Sequence, residues 1–312
     1  MGFYHSEDWQ GLLKIKHPSI LFILICICTG ANLALFKEGL ATSQGEPVSA
    51  SVLIVPTLIS PQPKVTVIVT PQRCSQTKGR IEIGNFYTHL LTQVLQYRVY
   101  LPPCYDQDWP RRYPVLYLIH GQSYNDDQWD RLGADETADD LISSGEVPPF
   151  IIVMPQDRIW SQPDQDPFGQ VMVDELIPWI DDHYRTLTDR QNRAIGGLSR
   201  GGGWALHLGL SRWDLFNAIG LHSAAIFESD SAQIPRWLDK ISPESMPHIY
   251  IDIGERDRPQ ILSAIRSFEE YLTRLGIPHL WHLYTGYHNE AYWKSHLEDY
   301  LRWYASNWKS SK

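Results

Sequence analysis

One serine, flanked by glycines, is the residue of this sequence whose surroundings best suit a nucleophile. Gly197, Ser199 and Gly201 follow the pattern Gly-x-Ser-x-Gly. A serine on a sharp turn between a strand and a helix needs residues without bulky side chains two positions before and after it, which glycine provides. Ala194-Ile195 resembles the end of a buried strand, and residues 204–208 resemble a helix. The pattern predicts an exposed serine nucleophile; the alternative is a glycine-rich helix start that binds nothing.

A serine hydroxyl is a weak nucleophile until a base takes its proton, and the base needs an acid to orient it. Asp257 follows the predicted strand 248–253, and His288 follows the predicted strand 279–284. Other acids and histidines of this region have different expected places: Asp252, His279 and His282 lie within strands, Glu255 lies earlier in its loop, and His296 lies in the last helix. We therefore predict that His288 is the base and that Asp257 orients it.

The segments that would position these residues alternate between short apolar strands and amphipathic helices from Arg80 onwards. This alternation predicts a mostly parallel α/β sheet with helices on both faces. The predicted strands are 81–90, 93–101, 115–120, 150–154, 193–197, 218–222, 248–253 and 279–284. The predicted helices are 132–144, 170–184, 202–210, 260–275 and 290–307. Chemistry in such a sheet lies beyond the carboxyl ends of the strands, where the loops that carry the serine, acid and histidine are expected to meet.

Composition limits the classes of function. The chain has 312 residues, of which 43% are hydrophobic and 12% aromatic, enough for a large folded domain. Its 27 basic and 36 acidic residues give a net charge of −9, which argues against a nucleic-acid partner. The sequence contains no C-x-x-C or H-x-x-x-H cluster, so it predicts no metal site.

The amino terminus predicts export. Lys14 and Lys16 precede the apolar segment 19–28 and the small residues Thr29-Gly30-Ala31, a layout typical of a secretory signal within residues 1–40. The alternative is a signal anchor, with residues 20–36 as a membrane tether. Lysines before the apolar segment keep the amino terminus inside in both cases, so the rest of the chain faces outside. Residues 41–79 are rich in Ser, Thr and Pro and predict a linker to a catalytic body at 80–312.

Two of the four cysteines, Cys74 and Cys104, belong to the predicted exported part, whereas Cys26 and Cys28 lie in the apolar segment. Two cysteines in an oxidising compartment favour a disulfide. The predicted strands 81–90 and 93–101 fold back on each other and bring Cys74 and Cys104 together. The alternative is two independent free thiols.

Several further segments carry a resemblance to a known family: Val99–Pro103 with Tyr105, Tyr117–Gly121, Val153–Pro155, Glu175–Asp181 with Tyr184-Arg185, Arg193–Gly202, and Gly286–His288. With these segments, residues 80–312 resemble the esterase family of the α/β-hydrolase superfamily, which includes feruloyl and other carbohydrate esterases, enterochelin esterases, S-formylglutathione hydrolases and mycolyltransferases.

The resemblance implies an α/β-hydrolase fold with a mostly parallel sheet of about eight strands. It also implies an oxyanion hole formed by the backbone N–H groups of Gln122 and Arg200. Cys104 stands where the family is expected to have glycine.

Aromatic residues and histidines near the predicted active face are candidates for the substrate pocket. Trp129, Trp160, Trp204 and Trp293 fall in or beside the loops there, where they could stack on a sugar or aromatic group. The alternative is that they pack the loops. His120 and His222 end two strands and either line the pocket or serve the structure. Residues 161–169 are the expected substrate-shaping loop.

Together these features predict a serine esterase that acts through an acyl-serine intermediate on a small-molecule or glycan ester, without cofactor or metal. The carboxylic ester is expected to be linked to a carbohydrate or an aromatic acid. The alternatives are an acyltransferase of the mycolyltransferase type and a non-catalytic ligand-binding exoprotein. The sequence predicts no oligomeric state.

Overall fold

Short apolar runs form the strands of an eight-stranded sheet in the computed structural model, which describes residues 74–308. The strands are β1 (Arg80–Phe86), β2 (Leu95–Leu101), β3 (Val115–Ile119), β4 (Ile151–Pro155), β5 (Arg193–Leu198), β6 (Ala218–His222), β7 (His248–Gly254) and β8 (Leu280–Tyr284). They lie in the order β1-β2-β4-β3-β5-β6-β7-β8. The β1–β2 and β2–β4 pairs are antiparallel, and all other neighbours are parallel. The predicted mostly parallel sheet is confirmed.

Helices cover both faces of this sheet. They are α1 (Gln128–Arg131), α2 (Ala134–Ser143), α3 (Phe168–Val171), a π-helical turn (Met172–Leu176), α4 (Ile177–His183), α5 (Arg200–Ser211), α6 (Ile234–Lys240), α7 (Pro259–Leu275) and α8 (Glu290–Ser306). Successive side chains of a strand point to opposite faces. Tyr117 of β3 therefore packs in the core layer of α3–α7, whereas Leu116 and Leu118 pack in the layer of α1, α2 and α8.

The connection between β1 and β2 differs from the prediction. The strands were expected at 81–90 and 93–101 with a short turn, but β1 ends at Phe86 and β2 begins at Leu95. The apolar residues of the intervening segment do not pair as strand; Leu91 and Val94 line a cavity instead. An apolar run can line a pocket as readily as it can form a strand, so the pattern alone could not separate the two.

Cys74 and Cys104 are joined by a disulfide, with their Cα atoms 5.8 Å apart. Cys104 has a φ of 68°, in the left-handed region that favours glycine, which gives a physical reason for the glycine expected at this position. Residues 74–79, assigned to the linker by composition, contact the body: the Gly79 N–H donates to Asp139 Oδ1 at 2.7 Å. The hydroxyl of Ser143 donates to the carbonyl oxygen of Thr77 at 3.0 Å.

The predicted signal segment, with its tether at 20–36, and residues 41–73 of the predicted linker lie outside the described residues. Between residues 74 and 308, no helix is both long enough and apolar enough to cross a membrane.

Candidate active site

Ser199 lies on the turn between β5 and α5, with φ 54° and ψ −119°. Such a conformation costs a non-glycine residue about 1–3 kcal/mol and persists only where neighbours hold it. The Ser199 N–H donates to the carbonyl oxygen of His222 at 3.0 Å. A Cβ at Gly197 would meet the backbone of Gly201, and a Cβ at Gly201 would meet the carbonyl oxygen of Ile119. Glycine is therefore required at both positions, as the sequence pattern indicated.

The structure brings the three residues predicted from loop positions into one hydrogen-bonded chain. His288 Nε2 lies 2.9 Å from Ser199 Oγ, and His288 Nδ1 lies 2.8 Å from Asp257 Oδ1. An ionised carboxylate only accepts, so the Asp257 contact assigns the ring hydrogen to Nδ1 and leaves Nε2 free to accept the serine proton. The side chain of Asp257 is fully buried and that of His288 is 7% exposed, so little water competes for these bonds.

The loops that carry the acid and the histidine are fixed close to their ends. The Asp257 N–H donates to the carbonyl oxygen of Gly254 at 3.1 Å, closing a turn directly after β7. Asn289 caps α8, its side chain accepting from the Tyr292 N–H at 3.0 Å. The ring of Trp293 packs edge-on against His288, with the ring centroids 5.0 Å apart. The imidazole is thus held by packing as well as by hydrogen bonds.

A cleft of about 640 Å³ opens at Ser199 and is lined by both predicted oxyanion residues, Gln122 and Arg200. Neither of their backbone N–H groups donates to another group within residues 74–308. Free N–H donors beside a nucleophile can stabilise, by hydrogen bonding, the negative charge that develops on a carbonyl oxygen under attack.

At the edge of this cleft, hydrogen bonds hold both the N–H and the C=O group of Gly121. The Gly121 N–H donates to Oε1 of the buried Gln128 at 2.8 Å, and His120 Nδ1 donates to the Gly121 carbonyl oxygen at 2.7 Å. C=O and N–H point in opposite directions across a trans peptide, so fixing the Gly121 oxygen also fixes the Gln122 N–H. His120 Nε2 accepts from the Asp157 N–H at 2.9 Å, which assigns the same tautomer. Burial lowers the pKa of His120 and keeps the ring neutral. Sequence reasoning missed Gln128, because no sequence pattern marks a side chain that accepts from a backbone N–H 7 positions earlier.

The sequence model of the family described as "Putative esterase" matches residues 88–304. This chain belongs to the esterase family. An endo-1,4-beta-xylanase/feruloyl esterase of Xylanibacter ruminicola is 31% identical over 193 residues, covering 58% of this chain and 26% of that protein. An esterase of Mycobacterium tuberculosis is 26% identical over 230 residues, covering 57% of this chain and 49% of that protein. The chain thus spans about a quarter and a half of the lengths of these two curated relatives.

A solved structure of a ferulic acid esterase superposes with a TM-score of 0.66 and 25% sequence identity, covering 74% of this chain and 100% of that one. The α/β-hydrolase fold that the resemblance implied is thereby confirmed for this member of the esterase family.

Two of the predicted pocket residues of this esterase-family chain are tryptophans buried away from the cleft. Trp204 and Trp129 are 0% and 1% exposed. The indole N–H of Trp204 donates to Asp157 Oδ2 at 2.9 Å, and that of Trp129 donates to the Ile119 carbonyl oxygen at 3.1 Å. Both rings pack beneath the loops, the alternative that the sequence left open. Trp293, in contrast, lines the cleft.

The side chain of Arg200 is engaged in a buried ion-pair cluster. Its guanidinium donates to Asp157 Oδ2 at 2.6 Å and to Asp166 Oδ2 at 3.0 Å. Burial raises the pKa of Asp166 to about 6. The side chain of Arg200 therefore fixes the loop around Asp166, while the residue itself lines the cleft.

His222 is also buried, at 0% exposure, and belongs to a polar network instead of the pocket. Its Nδ1 lies 2.6 Å from Asp252 Oδ1, and its Nε2 lies 3.0 Å from the Tyr304 hydroxyl. The hydroxyls of Tyr292 and Tyr300 both donate to Asp252 Oδ2 at 2.7 Å. This network, the Asp252 network, joins the ends of β6 and β7 to α8.

Trp160, also predicted to line the pocket, lies on the surface and is 56% exposed. It lines a second cavity of about 330 Å³, the aromatic slot, together with Tyr124 and Phe168. Ser123 and Tyr124 line both the slot and the cleft, so the two cavities share a wall. Within the described residues, no group of three His, Cys, Asp or Glu side chains is arranged to hold a metal ion.

Proposed function

We propose that this chain is a serine esterase that hydrolyses carboxylic esters through an acyl-serine intermediate. The observation that carries the proposal is the hydrogen-bonded chain from Ser199 through His288 to Asp257. Gln122 and Arg200 line the same cleft, and their backbone N–H groups have no acceptor within residues 74–308. Membership of the esterase family supports the same reaction class.

In the first step, Ser199 Oγ attacks the ester carbonyl carbon while His288 Nε2 takes the hydroxyl proton. Asp257 stabilises the imidazolium that forms, through the bond to Nδ1. The carbonyl oxygen becomes an oxyanion and accepts hydrogen bonds from the N–H groups of Gln122 and Arg200. The tetrahedral intermediate then expels the alcohol, which leaves with the proton from Nε2.

The second step repeats this chemistry with water. His288 Nε2 takes a proton from the water molecule as its oxygen attacks the acyl-serine carbonyl carbon. The new tetrahedral intermediate expels Ser199 Oγ, which recovers the proton from Nε2. The acid is released and the serine is restored, so no cofactor is consumed.

For the substrate, we propose an ester of an aromatic carboxylic acid, carried by a carbohydrate or other small alcohol. The names of two relatives, which include feruloyl and ferulic acid esterases, favour this class. The aromatic slot next to the cleft, with Trp160, Tyr124 and Phe168 in its walls, is suited to a planar ring.

We also propose that the catalytic body works in an oxidising compartment, as the signal-like residues 1–40 predict. The Cys74–Cys104 disulfide supports this location, because such bonds persist outside the reducing cytosol.

The test is hydrolysis of p-nitrophenyl acetate, butyrate and octanoate, and of methyl ferulate, by the full-length protein. Ser199→Ala is expected to abolish turnover and labelling by a fluorophosphonate. Ser267→Ala, an exposed serine of α7, is the matched control and should keep both. If the wild-type protein neither hydrolyses any ester nor takes the label, the proposal is wrong. Product formation only with an added alcohol acceptor would indicate acyl transfer.

A further inference from the structure

The wall of the catalytic cleft includes a positively charged side chain, Arg258, that the proposed reaction does not use. Arg258 follows Asp257, is exposed, and lines the cleft with Ser199 and His288. Its guanidinium makes no hydrogen bond or ion pair with residues 74–308; its backbone N–H alone is engaged, donating to Asp257 Oδ1 at 2.6 Å. An arginine presents five donors that match the geometry of a carboxylate.

Among residues 74–308, no side chain that lines the cleft pairs with this guanidinium. Glu290 is the acidic residue among the described residues that line the cleft, and its carboxylate pairs with Arg131 at 3.1 Å. The first turn of α7, which begins next to Arg258, carries no acidic residue. The chain as a whole has nine more acids than bases, so a general excess of basic residues does not explain an unpaired arginine beside the nucleophile.

Arg258 shares a cleft and a carboxylate contact with His288, the residue beside which the alcohol half of an ester must sit. His288 Nε2 protonates the leaving oxygen, so the alcohol lies next to the imidazole. The Asp257 oxygen that binds His288 Nδ1 is the same one that binds the Arg258 N–H. The Arg258 backbone and the imidazole thus contact one carboxylate oxygen, which places Arg258 close to the residue that protonates the leaving alcohol.

We infer that Arg258 selects esters whose alcohol half carries a carboxylate, such as a uronic acid or a hydroxy acid. This inference rests on the proposed esterase function. The guanidinium would hold the carboxylate through paired N–H donors and so fix the alcohol against His288. A neutral alcohol of the same shape would lack this contact.

The test compares two acetate esters, 4-acetoxybenzoate, whose leaving group carries a carboxylate, and its neutral methyl ester. The measured quantity is the ratio of kcat/KM for the anionic ester to that for the neutral ester. We expect Arg258→Gln to lower this ratio roughly 5- to 20-fold, the size of a partly solvated charge-assisted bond. Arg266→Gln removes the same charge further along α7, at an exposed position outside the cleft, and should leave the ratio unchanged.

A binding measurement separates this inference from the proposed function. Isothermal titration of 4-hydroxybenzoate into Ser199→Ala is expected to show binding that weakens by a similar factor when Arg258→Gln is added and when KCl is raised. An unchanged kcat/KM ratio and unchanged binding in Arg258→Gln would overturn the inference while leaving the esterase proposal intact. If neither ester is hydrolysed, the titration decides whether Arg258 binds the anion, and the esterase proposal is decided by the p-nitrophenyl esters and the fluorophosphonate label.

Discussion

Replacing Gln128 by methionine tests whether the Gln128 side chain positions the loop of Gly121 and Gln122, the proposed oxyanion loop. The substitution keeps the unbranched shape of the side chain but removes both of its hydrogen bonds. One is accepted from the Gly121 N–H at 2.8 Å, and the other is donated to Glu290 Oε1 at 3.1 Å. The Gly121 N–H is then left buried without a partner, and Gly121 loses one of the two hydrogen bonds that hold its backbone.

Two magnitudes follow. Leaving a buried donor unsatisfied costs ~1–3 kcal/mol, so the free energy of unfolding should fall by about 2 kcal/mol. Complete loss of an oxyanion donor costs about 3 kcal/mol in the transition state. His120 still holds the Gly121 carbonyl oxygen, so we expect about half of that loss, roughly a tenfold fall in kcat. KM should change little, because the oxyanion exists only in the transition state.

The assay measures kcat and KM with p-nitrophenyl butyrate, alongside urea unfolding. Gln122→Ala is the control: it keeps the proposed backbone donor and should lower kcat no more than about twofold. If Gln128→Met loses stability but keeps the wild-type kcat, the loop is fixed by other contacts and the reasoning is refuted. A rise in KM with unchanged kcat would also contradict it.

Three further changes test other parts of the molecule. Asp257→Asn should lower kcat about 10⁴-fold at pH 7, because an amide that donates to Nδ1 favours the wrong tautomer; a loss below tenfold would contradict the acid's role. Reducing the Cys74–Cys104 bond, which closes a separation of 30 residues, should cost roughly 3–4 kcal/mol by urea unfolding, and an unchanged midpoint would refute this. Burial and the neighbouring Glu136 raise the pKa of Asp135 to about 7, so its ionised form destabilises the fold. Asp135→Asn should therefore stabilise the protein at pH 8 by about 1 kcal/mol after solvent screening, with a gain that shrinks from pH 7 to pH 4; a gain independent of pH would argue against it.

The elements of the site that sequence predicted are those that local geometry dictates. Gly197 and Gly201 are required by backbone atoms that any such turn brings close, so the pattern alone places Ser199. Asp257 and His288 follow from a rule of parallel sheets, that loops after neighbouring strands meet at one edge. The alternation of strands and helices likewise gave the fold class.

The features of the site that the sequence did not predict depend on the direction in which a side chain points. Trp129 and Trp204 were expected beside the substrate because they lie near strand ends along the chain. Each instead points under the loops, where its indole N–H finds a buried acceptor. The contact of Gln128 with Gly121 depends on where α1 packs. The Arg258 guanidinium is free because no carboxylate among the described residues pairs with it. Both are properties of the assembled surface.

The Asp252 network gives the two proposed proton-handling loops a common foundation. Asp252 lies on β7, five positions before Asp257, and Tyr292 lies on α8, four positions after His288. The hydrogen bond between Tyr292 and Asp252 therefore joins the elements next to the acid and the base. Apart from Ser123 and Tyr124, which it shares with the cleft, the aromatic slot is built from the β1–β2 connection and the segment after β4. Insertions or exchanges in these two segments can reshape the slot without moving Asp257 relative to His288. Substrate range and catalytic alignment are therefore separable in this molecule, and loop grafting at the slot is the natural route to new specificities.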